Sequence, residues 1–233
     1  MPAEHTRPVD AAAPWAEGWR TVGVTGTNGK TSTTALLSAA LRAADHGVFT
    51  VSTLSFAIDG APVQAPRTWA SLLELGARAA AGGCRHAVIE ITSQALARGY
   101  ARRWRYDVGV FTNLAEDHIE AHGGLEDYLA AKAQLFLNLS PGGAAVLNAH
   151  DPAALLIERV LPDDLEVIWF GAPSRGPQLR GGARYLGARA IEVSARGTRI
   201  TLTDTPLAAR LGPAPLEIPL VGDVFAENAL AAA

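Results

Sequence analysis

The chain has 233 residues, 48% of them apolar, and a formal net charge of −3. That length buries a sizeable core, as one large domain or one domain and a fragment, and that composition excludes disorder. The weak negative charge offers no basic field to nucleic acid or to an anionic membrane. Cys84 is the single cysteine, which excludes a disulfide framework and a cysteine-based zinc site and suits a reducing cytoplasm.

Residues 1–19 mix Ala, Pro and scattered charge without the continuous apolar run of a signal peptide, and read as a mobile leader. No apolar run is long enough to span a bilayer. A strand is expected over 20–25 and a helix over 31–44, with Gly26-Thr27-Asn28-Gly29-Lys30-Thr31-Ser32 at the junction. Strand, glycine-rich turn, Lys-Thr and helix is the layout of a phosphate-binding loop. Glycines let backbone N–H groups approach phosphate oxygens, and the helix N-terminus adds positive potential. Lys30 would then reach the β- and γ-phosphates and the Thr31 hydroxyl would hold Mg²⁺. Val24 stands where the common pattern has its first glycine. The plainer alternative is a structural glycine-rich turn.

The pattern continues with a strand over 47–53, a helix over 69–81 and strands over 86–91 and 106–112. A helix over 126–138, a strand over 144–148, a helix over 152–160 and a strand over 165–170 follow. This alternation with mostly apolar strands predicts an α/β fold: a mostly parallel P-loop-type sheet with helices on both faces. Residues 172–177 read as a loop. Beyond it, 188–193, 198–203 and 216–220 alternate polar and apolar, which predicts a small antiparallel β subregion near the C-terminus. A last helix begins near Ala226 and runs to Ala233 without a C-cap, so the chain reads as ending within an element.

Four further clusters stand at strand ends, where an open α/β sheet binds its ligands. Glu90 interrupts the apolar run Ala87-Val88-Ile89 near its carboxyl end. A buried carboxylate needs a partner, either a metal ion or an arginine such as Arg98, Arg102 or Arg103. Phe111-Thr112-Asn113 runs out into Glu116, Asp117 and His118. His118 could ligate a metal, touch a phosphoryl group, or be a loop histidine in a solvated acidic turn; His122 reads as structural. Lys132 sits beside the helical stripe of Leu125, Tyr128, Leu129, Leu135 and Phe136. It is either a lysine whose head reaches water along that stripe or a desolvated amine of lowered pKa. Asn148-Ala149-His150-Asp151-Pro152 reads as a strand end and a helix start, with Asp151 as the N-cap.

Taken in order, these motifs resemble the central ATP-binding domain of the Mur ligase family, nearest its UDP-MurNAc-tripeptide synthetase branch. The likeness runs from the glycine loop through 90–96, 111–123, 128–136 and 145–152 to Val221-Gly222-Asp223 and Asn228-Ala229-Leu230, about residues 20–233. It implies ATP and Mg²⁺ as cofactors and an ATP-dependent acid–amino acid ligase. Such an enzyme makes an acyl phosphate, from which an amine displaces phosphate. By the same likeness Gly26, Thr27, Asn28, Gly29, Lys30, Thr31, Ser32, Asn113 and Asn228 bind the nucleotide. Thr31 and Glu90 hold one Mg²⁺ and His118 the second. Lys132 matches a lysine carbamylated by CO₂, giving Lys30, Glu90, His118 and Lys132 the catalytic roles. Four positions depart from the branch. Gln94 replaces a histidine, Tyr100 an arginine, Gln64-Ala65-Pro66-Arg67-Thr68 a Thr-Thr-Pro segment, and Phe225 an asparagine.

The resemblance also implies that an N-terminal UDP-binding domain and a C-terminal Rossmann-like domain are absent from this chain. The partners expected are a small-molecule carboxylate, an amino acid or amine, and a separate chain supplying the C-terminal domain; no nucleic acid and no membrane are expected. Two other readings remain at this point: a nucleotide-binding module without catalysis of its own, and a generic P-loop NTPase or kinase. Against the last, no apolar strand ends in an Asp suited to a second acidic motif.

Overall fold

The computed structural model describes residues 17–115, 124–173 and 176–233. Eleven strands form one sheet in the order β11-β10-β9-β8-β7-β6-β1-β5-β2-β3-β4. Its parallel centre comprises β1 (Arg20–Thr25), β2 (Val48–Val51), β5 (His86–Glu90), β6 (Tyr106–Phe111), β7 (Leu139–Asn148) and β8 (Glu166–Gly171). Two antiparallel margins flank it: β3 (Phe56–Ile58) with β4 (Ala61–Val63), and β9 (Tyr185–Ser194) with β10 (Gly197–Leu202) and β11 (Leu216–Ile218).

Strand side chains alternate between the two faces, and each face has its own core. Val24, Val88, Val110, Phe170 and Leu186 point to one face. There they meet α1 (Lys30–Ala43), α7 (Pro206–Leu211) and α8 (Asp223–Ala232) through Leu37, Ala208 and Leu230. Ile89, Phe111, Leu147 and Trp169 point to the other. That face is covered by α2 (Trp69–Ala81), α3 (Ser93–Ala97), α4 (Tyr100–Arg103), α5 (Leu125–Leu137) and α6 (Pro152–Glu158). Phe49, Phe111, Phe136 and Phe170 are fully enclosed, each worth about 1.5–3 kcal/mol over exposure. Trp19, at the end of the expected leader, already lies in this core, edge-on to Phe49 and Trp104.

The elements named from the sequence recur with shifted ends, β7 starting at Leu139 rather than 144, and β3, β4, α3, α4 and α7 add to them. The last helix starts at Asp223, three residues before Ala226, because Gly222 ends the preceding extended segment. β9 is not purely antiparallel: Tyr185–Gly187 run parallel to β8, and the rest of the strand pairs antiparallel with β10. Asp151 caps α6 as expected, accepting from Ala153 N at 2.8 Å.

Strand order positions the site. From β1 the chain crosses through α1 toward β2 on one side, whereas β6, α5 and β7 lead to the other. The carboxyl end of β1 lies where the two directions part, the crevice in which open α/β sheets hold ligands. Among the described residues no helix is long and apolar enough to cross a membrane.

Candidate functional site

The glycine-rich turn joins β1 to α1 at that crevice. Gly26 has φ +146° and Gly29, the N-cap of α1, has φ +83°, both in backbone territory that favours glycine. A Cβ on Gly26 would overlap Thr112 Oγ1, and one on Gly29 would overlap Asn228 Oδ1. The turn is braced from β6: Thr27 N donates to Asn113 O (2.8 Å) and Asn28 N to Asn113 Oδ1 (2.9 Å). Asn113 Nδ2 and Thr112 Oγ1 both donate to Asn28 O, at 3.2 and 2.6 Å. The first turn of α1 has no acidic residue and no side-chain cap, and its first N–H groups meet no carbonyl of the helix itself. Such an end suits an anion.

Lys30 folds over the turn, its Nζ donating to Thr27 O at 2.7 Å. Burial pushes its pKa below the usual lysine value, and Glu90 partly offsets this. Glu90 closes β5 on the same face as Val24, and is therefore turned toward α1. Its Oε2 accepts from Thr31 Oγ1 (2.9 Å), Thr53 N (3.0 Å) and Thr53 Oγ1 (3.4 Å), and the two threonine hydroxyls are 3.4 Å apart. Among the described residues no ion pair joins Glu90 to Arg98, Arg102 or Arg103; hydroxyl and amide donors take the place of an arginine. Hydroxyl and carboxylate oxygens without sulfur or nitrogen form the donor set of a hard cation. The described residues contain no group of three or more His, Cys, Asp or Glu able to hold a metal. A cation at Glu90 would therefore complete its shell with phosphate and water oxygens, which is how Mg²⁺ is commonly held.

Lys132, on α5, is 1% exposed, so it is not a lysine reaching along an apolar stripe to water. Its Nζ donates to Gly26 O at 2.7 Å and lies 4.0 Å from the centre of the Tyr128 ring. Burial, and then the charge of Lys30, bring its pKa down to about 7. Tyr128 OH also lies 3.2 Å from Thr27 Oγ1, tying α5 to the loop twice. His118 and His122 fall outside the described residues. Lys30, Thr31, Glu90 and Lys132 are thus drawn to one end of the sheet, with Asn113 and Asn228 on the flanks of the loop.

Three neighbours were not singled out by sequence reasoning. Thr53 is one, and only its position just past β2 could have signalled it. Arg67 donates to Ser52 O and stacks on Phe56 at 4.8 Å, bracing the segment that carries Thr53. Glu227 is the third, a buried acid on α8 bonded to Asn148.

A parallel sheet with a glycine turn and helix N-terminus at its switch point defines an α/β domain of the phosphate-binding-loop type. Residues 24–233 match the Mur ligase middle domain, and the chain belongs to the Mur ligase family through that domain. It is 36% identical over 214 residues to a UDP-N-acetylmuramoyl-L-alanyl-D-glutamate–2,6-diaminopimelate ligase of Thermosynechococcus vestitus, covering 91% of this chain and 40% of that protein. The ligase of the same name from Xanthomonas campestris pv. campestris is 34% identical over 223 residues, covering 94% and 42%. A solved structure of a ligase of that name superposes with a TM-score of 0.74 at 25% identity, covering 92% of this chain and 42% of the other. The chain therefore spans about two fifths of the length of these relatives.

Proposed function

We propose that this chain is the ATP-binding core of a ligase that forms an amide bond between a small-molecule carboxylate and an amino acid or amine. Peptidoglycan precursors are the substrate class, by analogy with what the relatives' names state. The observation that carries the reading is the convergence of Lys30, Glu90 and Lys132, from α1, β5 and α5, on one glycine loop. A single cysteine and the use of ATP suit the cytoplasm.

In this reading the loop amides and Lys30 receive the phosphates of ATP. Thr31, Glu90 and Thr53 supply oxygens for one Mg²⁺, and His118 holds a second. The γ-phosphoryl group passes to a carboxylate oxygen of the acid, leaving ADP and an acyl phosphate. The amine then attacks the acyl carbon, loses a proton and expels phosphate. The protein's share is positioning and charge stabilisation. Lys132 with a pKa near 7 is partly neutral at physiological pH, and a neutral amine is what adds to CO₂. The product is a carbamate anion and a proton, and the new carboxylate suits a cation site better than an ammonium group. Asn228, whose Oδ1 stands where a Cβ on Gly29 would fall, would by the family likeness lie near the adenine.

The test is phosphate release from ATP, supplying UDP-N-acetylmuramoyl-L-alanyl-D-glutamate with 2,6-diaminopimelate beside a panel of other acids and amines. Release that requires both an acid and an amine, with amide product, is the expected result. Release that ignores both would point to a plain ATPase instead.

A further inference from the structure

The C-terminal helix carries an acid that the chemistry above does not use. Glu227 on α8 is 5% exposed, and a buried carboxylate is costly unless donors meet it. Asn148, 2% exposed at the carboxyl end of β7, is one such donor: its Nδ2 lies 2.9 Å from Glu227 Oε1. The same amide nitrogen donates to Thr112 O at 2.7 Å, and Asn148 Oδ1 accepts from His150 N at 2.9 Å. Both N–H donors of the amide are thereby used, and the carbonyl end has its own partner. Thr112 continues the chain, its Oγ1 donating to Asn28 O in the glycine loop at 2.6 Å. Four separate segments, α8, β7, β6 and the loop, are linked by consecutive hydrogen bonds. The next residue on α8, Asn228, is the one whose Oδ1 a Cβ on Gly29 would overlap.

We propose that Glu227 is a positioning residue for nucleotide binding. Its carboxylate fixes the Asn148 amide, and through Thr112 it fixes the backbone of the loop at Asn28 in the form that receives phosphate. The inference rests on reading that loop as the ATP site. Its physical basis is the asymmetry of buried hydrogen bonds. Removing the acceptor leaves a buried N–H unsatisfied, which costs more than the bond itself contributes. The amide then keeps only its bonds to Thr112 O and from His150 N, and nothing from α8 fixes it, so its hold on Thr112 loosens.

The test is the Kd of the 233-residue chain for a non-hydrolysable ATP analogue with Mg²⁺, by calorimetry. The variants are Glu227→Gln, Glu227→Leu, Asn148→Ala and the double variant Glu227→Leu/Asn148→Ala. Gln keeps an acceptor and should bind within about 2-fold of wild type; Leu keeps bulk without the acceptor and should bind about 10-fold more weakly. Asn148→Ala should lose a similar factor, and the double variant no more than either single one, because the residues act through one chain. A Glu227→Leu variant with wild-type affinity would overturn the proposal. So would losses that multiply in the double variant, or a Gln variant as weak as the Leu variant. If Glu227→Leu does not fold, Asn148→Asp decides. It removes Nδ2, the donor to both Glu227 and Thr112 O, while keeping Oδ1, and unchanged affinity would overturn the proposal equally. Lys30→Ala in the same series separates the two levels: if it binds as wild type, the loop reading fails. If it loses binding while the Glu227 variants do not, only the role of Glu227 fails.

Discussion

Lys132 and Gly26 are 106 positions apart, yet the lysine Nζ donates to the glycine carbonyl at 2.7 Å in a buried contact. A helix-borne amine is thus held against the backbone of the loop that begins α1. The Tyr128 ring, 4.0 Å from Nζ, covers it from the same helix. The lysine reads as part of the site because its environment fits an amine that changes charge, and that fit has measurable consequences.

Replacing Lys132 by Ala is expected to abolish ligation, by at least about 100-fold, the scale on which single stabilisers of developing charge are lost. A small carboxylate added to the assay should restore part of the rate by standing in for a carbamate. ¹³C-labelled bicarbonate should give a carbamate signal in the wild-type protein and none in the variant. Full activity of Lys132→Ala without any additive would remove the residue from the mechanism.

The same lysine predicts a pH effect on stability. Its folded pKa is about 7 against the usual 10.5. Between those values the unfolded chain holds a proton that the folded chain lacks. The contribution of this group to stability therefore rises with pH across that window. In CO₂-free buffer, the urea midpoint of wild type minus that of Lys132→Met should increase from pH 7 to pH 9.5. An unchanged difference would mean that the folded lysine titrates normally.

Glu90 accepts from Thr31 and Thr53, and the carboxylate is the charged member of that oxygen set. Glu90→Gln keeps the shape and an acceptor but removes the charge. The Mg²⁺ concentration needed for half-maximal nucleotide binding should rise about 10-fold or more, whereas Thr53→Val should shift it less, since Glu90 then keeps its charge and its bonds from Thr31 Oγ1 and Thr53 N. Magnesium titrations of both variants check the order. Equal effects would make the carboxylate no more than a bracket for the loop after β2.

Gly26 tests the loop itself. Gly26→Ala meets a left-handed backbone, costing about 1–3 kcal/mol, and its methyl would overlap Thr112 Oγ1. A lowered melting temperature with loss of nucleotide binding is expected. The second substitution Thr112→Ser does not relieve it, since the hydroxyl remains, whereas Thr112→Ala should recover part of the stability. Wild-type melting of Gly26→Ala would show that the turn is more open than described.

Much of this was legible in the sequence. β1 and α2 fall on the expected residues because each is a run of one period between clear breakers: Gly26 after β1, and Thr68 and Gly82 around α2. The hairpin of β3 and β4 was not read. Three-residue strands are too short for a period, and Pro62 argues against a strand, although Asp59-Gly60 is a recognised hairpin turn signal. Helix α7 was also passed over, despite Thr205 as N-cap and Pro206 in its first turn. Lys30, Thr31, Glu90 and Lys132 each stand in a local motif that drew attention to them, and the fold brings them to one end of the sheet. Thr53 and Glu227 drew none, because their site contacts cross 37 and 79 positions and no local pattern marks either end.

In the proposed function the glycine turn after β1 receives the phosphates of Mg²⁺-ATP with the help of Lys30. Calorimetric titration of wild type and Lys30→Ala with Mg²⁺ and a non-hydrolysable ATP analogue tests it most directly. Wild type should bind in a magnesium-dependent manner and the variant about 10- to 100-fold more weakly, the range for one charge-assisted hydrogen bond. Equal affinity of the two proteins, or binding indifferent to magnesium, would contradict it.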